Sequence, residues 1–170
     1  MRNKSRFISL CAVLCAFSVV MLYIASVIPS GQIGFIALAS LFGIAAVIET
    51  GIKGGIGVFI ATSILALLII PSKTAVLFYA LFFGNYPIIK SLAEQAKTRT
   101  VEWIIKLIIA NAELAVFLLF FKELFFEFIN FSNSFVIIFL LFNIVFIVFD
   151  FGVSKAIGFY IEKISKRIKK

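Results

Sequence analysis

The stretch Phe83-Gly84-Asn85-Tyr86-Pro87-Ile88-Ile89-Lys90 decides how the chain is read. The sequence on either side is almost wholly apolar. Here a glycine, an asparagine and a proline interrupt it. Lys90, Glu94, Lys97, Arg99 and Glu102 then follow as the densest internal run of charge. Proline has no backbone donor and kinks or ends a helix. An apolar helix that meets a proline and then a cluster of charge reads as a membrane helix reaching a polar face. Gly84, Asn85, Tyr86 and Pro87 are expected to form a hinge or corner there, with residues 90–102 as a polar connector between two halves.

Composition supports a membrane protein. Hydrophobic residues make up 63% of the 170 positions and charged residues 14%. The mean hydropathy is +1.18. Soluble domains carry about 45–50% apolar and about 25% charged residues, so a soluble core of this size has nowhere to hide the excess. The net charge of +8 does not point to nucleic acid. The charges sit at the ends of apolar runs, where cytoplasmic loops and anionic headgroups favour them. The chain has no histidine, which removes imidazole from metal and acid–base chemistry. Cys11 and Cys15 lie one helical turn apart and read as small buried packing residues. No cofactor or metal is expected.

Working outward from the opening stretch, apolar runs at 7–28, 34–50, 54–70, 74–89, 104–126 and 134–156 predict an all-α, polytopic membrane protein. It is a six-transmembrane-helix bundle forming one domain over residues 1–170, with a basic tail at 157–170. The first run is too long for the apolar region of a secretory signal, about 7–15 residues. Pro29, Gly31, Gly51 and Pro71 punctuate the runs. With the N-terminus inside, the inner segments hold Arg2, Lys4, Arg6, Lys53, Lys90, Lys97, Arg99, Lys106, Lys155, Lys163, Lys166, Arg167, Lys169 and Lys170. That is fourteen of the sixteen cations; Lys73 and Lys122 fall outside. Positive charge marks cytoplasmic loops, so both termini are expected in the cytoplasm and the protein in the cell membrane as a multi-pass chain.

Small residues recur at helical spacing. Ser5, Ser9, Ala12 and Ala16 form one stripe; Ala39, Gly43, Ala46 and Thr50 a second; Gly55, Thr62 and Ala66 a third. Such stripes let helix backbones approach closely where no hydrophobic effect drives association.

Polar groups inside apolar runs are the candidate site. A charge at mid-bilayer costs about 2.5–3.5 kcal/mol on insertion scales. Glu113 lies about nine residues into the fifth run, roughly 13 Å below the inner surface at 1.5 Å per residue. Asn111 is close by, Asn143 is near mid-depth in the sixth run, and Tyr79 is near mid-depth in the fourth. Glu113, Asn143 and Tyr79 are expected to share one hydrogen-bonded cluster if the bundle brings their helices together. Nearer the inner face, Glu102 precedes Lys106 by four residues, the favourable order for a helical ion pair. Asp150 has Lys155 or a neighbouring helix as its partner. No nucleotide-binding loop, nucleophile elbow or metal-ligand spacing is present, so an enzyme is not expected.

Six short helices in one small chain, both ends inside, resemble the substrate-binding S components of energy-coupling factor (ECF) transporters. Ala12-Val13-Leu14-Cys15-Ala16 is similar to the Ala-x-x-x-Ala face by which those proteins dock on a transmembrane coupling subunit. Ile28-Pro29-Ser30-Gly31 is similar to their proline-containing first outer loop. The resemblance implies partner docking through Ala12 and Ala16, a transmembrane coupling subunit and ATPases as partners, and a vitamin-like small solute bound from the outer side. The polar outer candidates are Gln32, Lys73, Lys122, Glu123, Asn130 and Asn133. The alternative is a non-transport membrane scaffold or lipid-interacting protein of the cell envelope.

Overall fold

The computed structural model describes Arg2–Phe128 and Phe135–Ser165. Asn130, Asn133 and the cations at 166–170 lie outside the described residues, and for Lys122 and Glu123 only the backbone is described. The described residues are almost all helical, and no strand occurs among them. In order it forms α1 (Arg2–Val27), a short turn at Pro29–Gly31, α2 (Gln32–Ile69), α3 (Lys73–Phe78), α4 (Tyr86–Ala93), α5 (Arg99–Phe128) and α6 (Phe135–Tyr160). Wider π-helical turns follow α3 at Tyr79–Phe83 and α6 at Ile161–Ser165. Five helical stretches are long and apolar enough to cross a membrane: Lys4–Val27, Gln32–Ile69, Lys73–Ala93, Arg99–Phe120 and Val136–Lys163.

The chain divides into two compact units, Met1–Gln95 and Ala96–Lys170. The boundary falls inside the charged connector.

In the first unit α2 is not one straight rod. At 1.5 Å per residue a straight helix of its length would span about 57 Å. Yet Gln32 Nε2 at its start lies 3.3 Å from Ser72 Oγ just beyond its end. The reversal occurs at Gly51, whose φ of 76° and ψ of 179° are non-helical. That region of the backbone map is essentially reserved for glycine. Two arms result, on either side of Gly51, and they match the runs expected at 34–50 and 54–70. A Cβ at Gly55 would collide with Val47 across the turn, so the arms close tightly there.

α1 lies against both arms. The Cys11 thiol donates to Thr50 Oγ1 at 3.8 Å, the Thr62 hydroxyl donates to Cys15 Sγ at 3.4 Å, and the Ser18 hydroxyl donates to the Ala39 carbonyl at 3.1 Å. The core comprises Leu22, Ala25, Ile36, Ala39, Ala66, Ile70, Ala75, Val76 and Tyr79. Four of these nine are alanines, as close backbone packing requires where lipid is as apolar as the core. At the end away from Gly51, Lys73 Nζ donates to the carbonyls of Leu67 at 2.7 Å and Ile70 at 3.1 Å. A cation thereby satisfies orphan acceptors at a helix C-terminus.

The opening stretch forms a packed joint. The fourth apolar run was expected to close at residue 89. Instead the π-helical turn ends at Phe83 and a new helix, α4, runs from Tyr86 to Ala93. Pro87 sits in the first turn of α4, where its missing donor costs no intrahelical bond. The Gly84 N–H donates to the Tyr79 carbonyl at 2.6 Å, and Asn85 Nδ2 donates to the Leu81 carbonyl at 3.1 Å. Gly84, Tyr86 and Pro87 are buried. Pro87 packs on Gly43, and a Cβ at Gly84 would lie 2.7 Å from Tyr79 Cε1 and 2.8 Å from Phe59 Cδ2.

In the second unit α5 and α6 run antiparallel. Lys106 meets Asp150, and Asn111 meets Asn143. In both pairs the residue numbers sum to nearly the same value, as an antiparallel register demands. Among the described residues, Ala110, Leu114 and Phe117 on α5, with Ile138 and Val153 on α6, are the buried apolar residues of that unit.

Candidate functional site

Polar side chains inside the first unit gather around Tyr79. The Tyr79 ring is fully buried, and its hydroxyl has no hydrogen-bond partner. The hydroxyls of Thr62 and Ser18 and the Cys15 thiol are its polar neighbours. The Thr62 and Ser18 protons go to Cys15 Sγ and the Ala39 carbonyl. Ser18 and Thr62 are themselves fully buried. Local sequence explains the placement: Tyr79 opens the π-helical turn, Gly84 leaves room for its ring, and Phe59 packs beside it at 6.4 Å between centroids. A buried tyrosine hydroxyl normally finds a partner. The cluster lies deep in an apolar unit. Its groups are neutral hydroxyls and a thiol, suited to holding a polar uncharged group.

Gln32 lies at the end of this unit remote from Gly51. Its amide donates to Ser72 Oγ, and Ser72 also caps α3 by accepting from the Ala75 N–H at 3.4 Å.

The polar residues of the second unit form a ladder across α5 and α6. Lys106 Nζ lies 2.6 Å from Glu102 Oε1 and 3.0 Å from Asp150 Oδ1. Lys106 and Asp150 are buried. The expected helical pair between Glu102 and Lys106 is present, and of the two partners open to Asp150 the neighbouring helix is the one found. Trp103 lies beneath the ammonium, 5.5 Å from it. A lysine buried between two carboxylates and an aromatic face has its charge compensated. Further along the seam, each of Asn111 and Asn143 donates to the other's amide oxygen at 3.0 Å. The second amide hydrogen of each goes to its own helix, Asn111 to the Leu107 carbonyl and Asn143 to the Phe139 carbonyl, both at 2.8 Å. All four amide hydrogens are therefore used, and the pair is closed.

Tyr79 belongs to the first unit, and Glu113 and Asn143 to the second. Asn143 pairs with Asn111 rather than with Glu113, which is half-buried on α5. Ser18 went unnoticed in sequence, and Thr62 was read only as part of a small-residue stripe, because a lone hydroxyl in an apolar helix is ordinarily satisfied by its own backbone. Their signal lies in sharing a face with buried Leu14, Cys15 and Leu22 or with Ala66.

Two docking candidates are placed plainly. Ala12 and Ala16 are exposed, as are Ser5 and Ser9, whereas Leu14, Cys15 and Ser18 carry the buried side of α1. By contrast Ala39, Gly43 and Ala46 on one arm of α2, and Gly55, Thr62 and Ala66 on the other, are buried.

No protein-family model, curated protein or solved structure matches the chain. What the fold and side chains define is a class: an all-helical protein with several helices long and apolar enough to span a membrane, compatible with embedding in one.

Proposed function

We propose that the protein is a multi-pass cell-membrane subunit that binds a small vitamin-like solute for an importer of the ECF type, with ATP hydrolysis left to partner ATPases. One observation carries this reading. Three small-residue stripes run along the first unit; those of α2 are consumed by internal packing, and the Ser5-Ser9-Ala12-Ala16 stripe of α1 is left exposed. A smooth exposed groove on a membrane helix suits close approach by a second membrane helix, here a transmembrane coupling subunit. Counting α2 as two spans about Gly51 gives six. With both termini inside, fourteen of sixteen cations then lie on the inner side. The uncommitted Tyr79 hydroxyl with Ser18 and Thr62 supplies neutral polar contact for the solute, and Gln32 stands at the outer end of the same unit.

The test is co-purification from native membranes. Wild type brings down a coupling subunit and ATPases. Replacing both Ala12 and Ala16 with leucine abolishes this with little change in thermal stability, since exposed substitutions shift stability by about 0.5 kcal/mol or less. Wild type emerging alone from mild detergent would refute the importer reading. The closed Asn111–Asn143 pair favours the second reading, a non-transport membrane scaffold or lipid-interacting protein, because an amide pair with every donor engaged has structural rather than binding character.

A further inference from the structure

The last turns of α6 carry a pattern that neither the importer nor the internal polar ladder uses. Phe151, Lys155, Phe159 and Lys163 follow one another at four-residue spacing, so each lysine reaches back over the ring one turn earlier. Lys155 Nζ lies 4.9 Å from the Phe151 centroid, and Lys163 Nζ lies 5.0 Å from that of Phe159. All four side chains are exposed, Phe151 by 62% and Phe159 by 56%. The antiparallel register brings the start of α5 to the same end of the unit, adding exposed Lys97 and Arg99. The acidic groups nearby are few. Glu102 and Asp150 are engaged by Lys106, which leaves Glu162 exposed. In sequence Lys166, Arg167, Lys169 and Lys170 follow directly.

Length says where these residues fall in a bilayer. The apolar stretch Val136–Lys163 has 28 residues, about 42 Å of helix. A hydrocarbon core of about 30 Å is crossed within about twenty residues, so a span that starts at Val136 leaves the core near Lys155. The phenyl–ammonium pairs then occupy the layer where acyl chains give way to headgroups. Above that level α6 is apolar nearly all round, with Ile144, Val145, Ile147 and Val148 exposed. Rings that lie in the apolar boundary beneath ammonium groups at headgroup height match a phospholipid better than a wholly polar partner.

We propose that this end of the α5–α6 unit is a binding surface for anionic phospholipid, with Lys155 and Lys163 engaging the headgroup phosphate, Phe151 and Phe159 lying against the upper acyl chain, and Lys97 and Arg99 enlarging the positive field. The inference stands apart from the importer reading and would hold for a scaffold equally.

The chain provides its own reporter. Trp103 is the single tryptophan, and by the α5–α6 register it lies level with Gly152 and Val153. The full-length protein is reconstituted in phosphatidylcholine bilayers containing either brominated phosphatidylglycerol or the same mole fraction of brominated phosphatidylcholine. Trp103 quenching is then read. The anionic lipid is expected to quench more strongly at low salt, with the excess shrinking at high salt as surface charge is screened. Lys155→Gln together with Lys163→Gln is expected to cut the apparent preference by an order of magnitude or more, at about fivefold per lysine, with unchanged helix content. Lys155→Arg with Lys163→Arg should retain it. Equal quenching by the two lipids in the wild type, or a preference untouched by the double glutamine variant, would overturn the proposal.

Discussion

The two units solve the same problem by different means. The first packs α1, the two arms of α2 and the α3 segment around a core rich in alanine, with glycines where backbones or rings approach most closely. Its buried polar groups are hydroxyls and a thiol that bond to one another and to the backbone, with one buried charge, Lys90, paired to Glu94 one turn on at 2.9 Å. The second has a single helix–helix seam, and its most specific contacts are a charged triad and a reciprocal amide pair. In lipid there is no hydrophobic drive to hold helices together. Many shallow contacts can do so, as in the first unit, or a few directional ones, as in the second. The first arrangement tolerates the loss of any one bond but not added volume. The second tolerates volume on its exposed faces but not loss of a polar partner.

Natural reporters allow the two to be separated. Both cysteines lie in the first unit and the single tryptophan in the second. The largest effect is expected from Lys106→Met, which leaves Asp150 buried beside Glu102 without the ammonium. Breaking a buried pair in this way costs about 3–5 kcal/mol. Denaturation followed by Trp103 fluorescence should shift to milder conditions while thiol labelling of Cys15 does not. A matched shift of both signals would erase the distinction between the units. Next comes Gly84→Ala, whose added methyl meets the rings of Tyr79 and Phe59. Overpacking of this kind costs about 1–3 kcal/mol. Here Cys15 should become reactive first and Trp103 should stay put. The smallest effect is expected from Asn143→Leu, which opens the amide pair. Interhelical hydrogen bonds in membranes average about 0.6 kcal/mol with a maximum of about 1.7, so a small shift confined to Trp103 would sharpen the comparison. A shift as large as that of Lys106→Met would move the weight of the seam to the amides.

Much of the fold can be read from residue order. Apolar run lengths locate the helices, and Gly51 between two runs foretells the reversal that makes one long helical stretch into two arms. Glu102 and Lys106 pair as their spacing requires. Asp150 could not be assigned between two partners, because its pairing depends on the register of α5 against α6 and no local pattern fixes that. The same limit hid the partner of Asn143, which is Asn111 across the seam. The joint at Gly84–Pro87 was legible as a break. That α4 begins there follows from proline being as good a first-turn residue as it is a poor interior one.

The reversal at Gly51 underlies the account, since counting α2 as two spans there turns five apolar stretches into the six of the proposed topology. Site-directed cysteine labelling in sealed membranes tests it directly, on a background with Cys11 and Cys15 replaced. Lys53→Cys should react only with reagent that has crossed to the inner face, and Ser30→Cys with impermeant reagent from outside. Reaction of Lys53→Cys from the outside would contradict the fold-back and the topology built on it.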